Sequence, residues 1–401
     1  MHCVRKIMED LYWIGVDDRR LSLFENIHPI PEGVSYNSYV LLDEKTVLVD
    51  AVDWNCSRQF LENLDFVLAG KPLDYFIINH MEPDHASSMG EVLLRHPEVT
   101  LIASEKSFTL MAQFGFDVSD RKKIVVKEGD THSFGQHNFT FLTAPMVHWP
   151  EVIVSFDNTN GVLFSADAFG TFGALNGRLF NDEVDFDRDW LEPARRYYTN
   201  IVGKYGAPVQ MLLKKAAKLP IKMIAPLHGP VWRSDLGYFL DKYDKWSSYT
   251  PETKGVLIVY GSMYGNTENA AELLATKLVE KGITEVRMYD VSKTHVSYLI
   301  SESFKYSHIV LASVTYNLGI YPPMLNYLHD MAALALQKRT LAIVGNGSWA
   351  PMAAGKIKKL VEEMKNMTLL EAQPAITSSV TKSTEEQLEQ LADALVASLK
   401  A

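Results

Sequence analysis

YFIINHMEPDH, residues 75–85, sets an apolar run immediately before four side chains able to hold a metal. The run from Tyr75 to Asn79 reads as a buried strand, and His80, Glu82, Asp84 and His85 follow it into a loop. In an extended segment His80 and Glu82 point the same way. A turn at Pro83 redirects Asp84 and His85 toward a second position. One loop can therefore serve two adjacent metal ions.

Three further candidates stand where other strands end. His148 follows FLTAPMV, Asp167 follows VLFSA, and His228 follows IKMIAPL. A side chain just past a buried strand is held by a rigid element yet reaches the space where sites form. Four histidines, one glutamate and two aspartates, one of them bridging, supply eight contacts, or four for each of two metals. The set holds no thiolate, and its three carboxylates suit two ferrous ions with room for a hydroxide. Mixed nitrogen and oxygen ligands with open positions favour iron that changes oxidation state. Zinc fits similar ligands but would make the site hydrolytic.

Around this loop the first 250 residues carry many short strands of antiparallel type, with helices between them. SYNSYVLL and KTVLVDAV read as a hairpin about Asp43 and Glu44, and FTFLTAP, EVIVSF and GVLFSAD as three more strands. Helical patterns fall at 57–69, 86–95, 190–201 and 207–218. Together they predict a two-sheet sandwich with outer helices, an αββα arrangement. The polar stretch DKYDKWSSYTPETK, 241–254, reads as a short linker and places the domain boundary near residue 250. Two domains suit 401 residues, because single cores rarely grow past about 250 residues.

Residues 251–401 alternate β-rich strands with longer helices, the pattern of a doubly wound parallel sheet. GVLIVY, 255–260, leads into Gly261, Ser262, Met263, Tyr264, Gly265, Asn266 and Thr267, which open the first helix. These small and hydroxylic residues let the backbone curl round a phosphate at a helix N-terminus. The loop lacks the Gly-Lys-Ser/Thr of a Walker motif and the Gly-x-Gly-x-x-Gly of a dinucleotide site. A hydroxyl-rich nest suits the monophosphate of FMN. Two more loops fall at the ends of suitable strands: Ser313, Val314, Thr315, Tyr316, Asn317, Leu318 and Gly319, then Gly345, Asn346, Gly347, Ser348 and Trp349. Open α/β sheets bind ligands at such carboxyl ends, where Tyr316 or Trp349 could cover a flavin ring.

The formal charge of -10 gives no electrostatic reason to expect a nucleic acid partner. No uncharged apolar run reaches the ~18 residues needed to span a membrane, and no signal peptide is evident. Cys3 and Cys56 are the two cysteines, too few for a disulfide framework, so the cytoplasm is the expected compartment. Two thiols also cannot build a rubredoxin-type iron site or an ordinary iron–sulfur cluster, so if the protein transfers electrons, the donor is expected to be another chain.

The first domain resembles the metallo-β-lactamase fold as found in flavodiiron proteins, and the second resembles flavodoxin. The zinc hydrolases of that superfamily carry His-x-His-x-Asp-His; here Glu82 takes the second histidine's place, the flavodiiron form. The resemblance implies that His80, Glu82 and His148 hold one iron, Asp84, His85 and His228 the other, and that Asp167 bridges them. It implies reduction of dioxygen to water, of nitric oxide to nitrous oxide, or of both, with FMN relaying electrons from rubredoxin or another small donor. A related branch uses the reduced deazaflavin coenzyme F420. It also implies a head-to-tail homodimer or a dimer of such dimers. His28 and Tyr197 resemble polar residues that approach the iron pocket, where they could relay protons. Phe24 and Trp149 resemble its apolar lining. A dizinc hydrolase joined to a flavodoxin-like domain is the rival reading.

Overall fold

The structure, a computed structural model, describes residues 2–401. The chain forms two compact units. One holds the residues up to Tyr198 together with Ala207–Asp244, the other Thr199–Gly206 together with Lys245–Ala401.

The first unit is built on two sheets. Seven strands lie in the order Arg5–Lys6, Leu11–Trp13, Tyr39–Leu42, Thr46–Val49, Tyr75–Ile77, Thr100–Ala103 and Lys123–Val125. The hairpin expected about Asp43 and Glu44 is present, with Leu42 opposite Thr46. From Thr46–Val49 onward the pairing is parallel, so the end of Tyr75–Ile77 delivers the ligand loop to one edge of the sandwich. The second sheet runs Thr131–Ser133, Asn138–Thr143, Ile153–Asp157, Val162–Phe164 and Met223–Ala225. Its last pair is parallel, which brings the ends of Val162–Phe164 and Met223–Ala225 to the same side. Tyr39 packs edge-on against Phe164 at 5.3 Å between the sheets.

The outer helix Ser57–Leu68 buries Phe60, Leu61, Leu64, Val67 and Leu68, a stripe at helical spacing, and Ala69 ends it in the left-handed conformation. Three expectations, two for helices and one for a linker, need correction. The helix expected at 86–95 is two pieces, Pro83–Ala86 and Met89–Arg95, because Pro83 starts a turn of its own. The helix expected at 190–201 is α-helical over Leu191–Tyr197 and widens into a π-helical turn over Tyr198–Val202. The polar stretch 241–254 is no simple linker: Leu236–Ser247 is helical and Thr253–Gly261 is already strand.

The second unit has a parallel sheet in the order Val286–Asp290, Thr253–Gly261, Tyr306–Tyr316, Thr340–Asn346 and Thr368–Leu369, with Ala375–Ile376 also paired to Thr340–Asn346. This is the doubly wound order of flavodoxin-like folds. Every residue from Gly255 to Gly261 is buried, as expected for a strand covered on both faces. The helices Asn266–Glu280 and Lys382–Lys400 share one core through Leu274, Leu278, Leu388, Leu391 and Leu395. Arg339 is buried, and its guanidinium donates to five carbonyls at 2.6–3.1 Å, Nε to Ser303, Nη1 to Tyr249, Gln337 and Lys338, and Nη2 to Phe304. It closes the open ends of several segments in place of water.

Candidate metal centre and flavin site

Strand ends bring the seven expected ligands together in two groups. One contains His80, Glu82, His148 and Asp167, the other Asp84, His85 and His228, with the donor atoms of each group within 4.8 Å of one another. Asp167 touches both. Its Oδ2 lies 3.0 Å from His148 Nε2 and 3.2 Å from His80 Nε2, while its Oδ1 lies 3.1 Å from His85 Nε2 and 3.6 Å from His228 Nε2. Glu82 Oε2 is 2.9 Å from His148 Nε2 and 3.2 Å from His80 Nε2. Glu82 is extended while Pro83 begins a helical turn, which divides one loop between two groups.

Two of the rings are oriented from behind. His80 Nδ1 meets Glu151 Oε1 at 2.7 Å, and the same oxygen accepts the Met81 N–H at 3.0 Å. His228 Nδ1 donates to the Ser35 carbonyl at 2.8 Å. These bonds put the proton on Nδ1 and turn the Nε2 lone pair inward. Asp50 steadies the backbone, accepting the N–H groups of Asn79 at 2.7 Å and His80 at 3.2 Å.

The donor set fits cations. The Nε2 atoms of His85 and His228 converge to 3.1 Å, and among the described residues neither buried Asp84 oxygen finds a hydrogen-bond partner, nor does Asp167 Oδ1. Nitrogen lone pairs facing carboxylate oxygens attract only if a proton or a metal lies between them. Burial would depress the His148 imidazolium, but Asp167 and Glu82 outweigh it and push its pKa up to about 9. His80 is held well above its ordinary value despite burial, chiefly by Asp167. Burial acts to raise Asp167, yet the surrounding imidazoles hold its carboxyl well below the usual range. Metal binding at such a site expels protons.

An apolar wall closes over these donors. Phe24 packs against His228 at 5.5 Å and against Phe172 at 5.4 Å, and Trp149 meets His80 edge-on at 5.4 Å. Tyr197 is fully buried, 5.3 Å from His228 between ring centres, and its hydroxyl has no hydrogen-bond partner among the described residues. Gly170 makes room for it: a Cβ there would stand 2.9 Å from the Tyr197 ring and 3.0 Å from the Asp167 carbonyl. His28 lies one shell out, against Phe172 and 3.8 Å from Glu25. Glu25, which no sequence pattern marks, is close enough to Glu82 for the two carboxyls to interact. Burial and that neighbouring carboxylate push its pKa up to about 8.

In the second unit the three loops surround a cavity of about 470 Å³, within the roughly 300–1,000 Å³ usual for cofactor sites. Ser262, Met263, Tyr264, Asn266, Thr267, Val314, Thr315, Asn317, Asn346, Gly347, Ser348 and Trp349 line it, joined by Leu318, Ala350 and Ser378. The helix Asn266–Glu280 starts at Gly265, whose φ of +88° suits glycine, and no side chain caps it, so its first N–H groups remain available to an anion. That fits a phosphate.

Five expected residues stand back from the cavity. Gly265 forms the turn. Ser313 is buried, its hydroxyl bonded to the Val314 carbonyl, and Gly345 faces Ala354. Tyr316 pairs with Gly319 and turns toward Tyr321, because the strand Tyr306–Tyr316 runs on into a tight hairpin. Asn317 and Leu318 take its two left-handed positions. Trp349 is 88% exposed and Tyr264 90% exposed at the rim.

Fold and site define a β-lactamase-like metal-binding domain followed by a flavodoxin domain. Residues 34–229 match the ODP family beta lactamase model, and residues 258–392 match Flavodoxin. The chain is 30% identical over 361 residues to an uncharacterized protein of Methanocaldococcus jannaschii, covering 90% of each. It is 30% identical over 357 residues to the anaerobic nitric oxide reductase flavorubredoxin of Vibrio vulnificus, covering 88% of this chain and 71% of that one. Rubredoxin oxygen:oxidoreductase from Desulfovibrio gigas superposes with a TM-score of 0.93 at 27% identity, covering 99% of this chain and 98% of the other. A variant of the flavo di-iron protein of Thermotoga maritima gives 0.89 at 27% identity over the same shares. The chain belongs to the flavodiiron protein family.

Proposed function

We propose that this protein is an oxidoreductase that reduces dioxygen, nitric oxide or both at two non-haem irons, with FMN relaying electrons from a rubredoxin-type donor. The observation that carries the reading is Asp167, whose two oxygens face two separate groups of inward-turned imidazoles. His80, Glu82 and His148 would hold one iron and Asp84, His85 and His228 the other, with Asp167 within reach of both. When bound, the irons and the flavin supply the electrons. Glu82 strengthens the case against a dizinc hydrolase, since it adds a hard anionic oxygen where those enzymes carry a histidine.

The chain's own residues prepare the site for a small neutral gas. Glu151 and Ser35 fix the rings of His80 and His228, so the ligands need little rearrangement. Phe24, Phe172 and Trp149 exclude water. The Tyr197 hydroxyl is a buried donor without a partner, and His28 with Glu25 forms a second route by which a proton reaches Glu82.

The metal domain spans 1–250 and the flavin domain 251–401 in this reading. Its compartment is the cytoplasm, in keeping with unpaired Cys3 and Cys56. Among the described residues, no helix is long and apolar enough to cross a membrane. In this reading the electrons come from a rubredoxin-type centre, which the two cysteines of these 401 residues cannot build; reduced F420 is the alternative donor. The exposed collar of Tyr264, Leu318, Trp349 and Met352 round the flavin cavity supports a homodimer, because a second copy would cover it.

The deciding experiment reduces the iron-loaded, FMN-replete protein anaerobically and follows dioxygen and nitric oxide turnover in parallel. Water or nitrous oxide formed in step with flavin oxidation supports the reading. Redox silence with zinc-dependent hydrolysis overturns it.

A further inference from the structure

The flavin cavity has a wall that its three recognised loops do not supply. Ser378 lies just past the short Ala375–Ile376 strand and lines the same space. Its loop is tied to both neighbours. Asn346, 3% exposed, donates through Nδ2 to the Ser378 carbonyl at 3.1 Å and to Thr267 Oγ1 at 3.2 Å. The Gly347 N–H donates to the Ile376 carbonyl at 3.1 Å. One buried amide thus couples the phosphate loop to the end of the last strand.

The serine is also held where serine is uncommon. Its φ of +66° lies in the left-handed region, which glycine would occupy without strain. Its hydroxyl donates to Ser348 Oγ at 2.9 Å. With that hydrogen committed, Ser378 Oγ presents lone pairs, while the Ser348 hydroxyl keeps its own hydrogen to donate. A phosphate oxygen only accepts hydrogen bonds. A sugar-alcohol hydroxyl both gives and takes, so it matches the pair.

We propose that Ser378 and Ser348 bind the ribityl hydroxyls of the flavin, and that Asn346 is the positioning residue that sets their loop against Thr267. This rests on the FMN reading above. Each ribityl hydroxyl donates to Ser378 Oγ or accepts from the Ser348 hydroxyl, and no bond is made or broken.

The test uses the full chain stripped of flavin and titrated by fluorescence with FMN, riboflavin and lumiflavin, which lacks the ribityl chain. Ser378→Gly removes the hydroxyl and relaxes the backbone; Ser348→Ala removes the partner. Each is expected to raise Kd for FMN and riboflavin about five- to tenfold, the loss of roughly one hydrogen bond, and to leave lumiflavin binding unchanged. FMN affinity within about twofold of the parent in both variants overturns the proposal, as does an equal loss for lumiflavin. If the parent protein itself binds no FMN, the flavin reading fails first and takes this proposal with it.

Discussion

Glu151 Oε1 and His80 Nδ1 lie 2.7 Å apart, with both side chains shut off from solvent. The carboxylate fixes the ring and raises its basicity as a ligand. Replacing Glu151 by Gln keeps the shape and removes the charge. Such second partners typically carry about 10–100-fold in metal affinity. Glu151→Gln is therefore expected to lose iron at chelator concentrations that the parent survives, with flavin content unchanged. Equal chelator midpoints for the two proteins would sink the idea.

His137 sits between two carboxylates, Nδ1 2.9 Å from Asp157 and Nε2 2.8 Å from Asp10, while its N–H donates to Asp43 at 2.7 Å. The bond to Asp157 and then that to Asp10 outweigh burial and push its pKa from 6.5 up to about 9. A folded-state pKa above the unfolded one stabilises the protein fully below about pH 6.5, and that stability is lost as pH rises through about 9. The contribution is about 1.5–3 kcal/mol, as for hydrogen bonds to charged groups. The gap in urea midpoint between the parent and His137→Gln should be widest near pH 6 and shrink toward pH 10. A gap that is flat with pH would refute the ion-pair account.

Gly170→Ala puts a methyl 2.9 Å from the Tyr197 ring. Overpacking of this kind costs about 1–3 kcal/mol, and here it pushes Tyr197 off His228. Denaturant midpoints should fall with metal content retained, and gas turnover should drop further than stability does. Unaltered turnover would argue against a role for the Tyr197 hydroxyl.

Arg339→Met leaves five carbonyls without their donor. Each buried acceptor so abandoned costs about 1–3 kcal/mol, and relaxation should limit the total to roughly 3–5 kcal/mol. Flavin release and thermal unfolding are expected to shift down together, with Arg339→Lys intermediate. A variant as stable as the parent would show that water can replace the guanidinium.

The cluster of candidate metal donors was legible because metal-binding types crowd into 80–85 and the others follow strands whose apolar runs are plain. The partners behind them were not. Glu151 serves His80 from 71 residues away, a pairing that depends on how the two sheets face each other. Glu25 was hidden because it reaches Glu82 through two successive left-handed residues, Glu25 and Asn26, that nothing in LFENIH announces. Ser378 follows a strand of only two residues, too short to leave a pattern. The helix Leu236–Ser247 did leave one: Phe239, Tyr243 and Trp246 are buried at helical spacing, but the charges between them masked it as a linker.

Because Asp167 gives one oxygen to each cluster of imidazoles, neither half can be settled alone. An ion on one side would fix the carboxylate in the orientation the other side requires and would displace protons from both. Uptake by the stripped protein is therefore concerted: titration with ferrous iron rises more steeply than two independent sites allow, and singly loaded molecules stay scarce throughout.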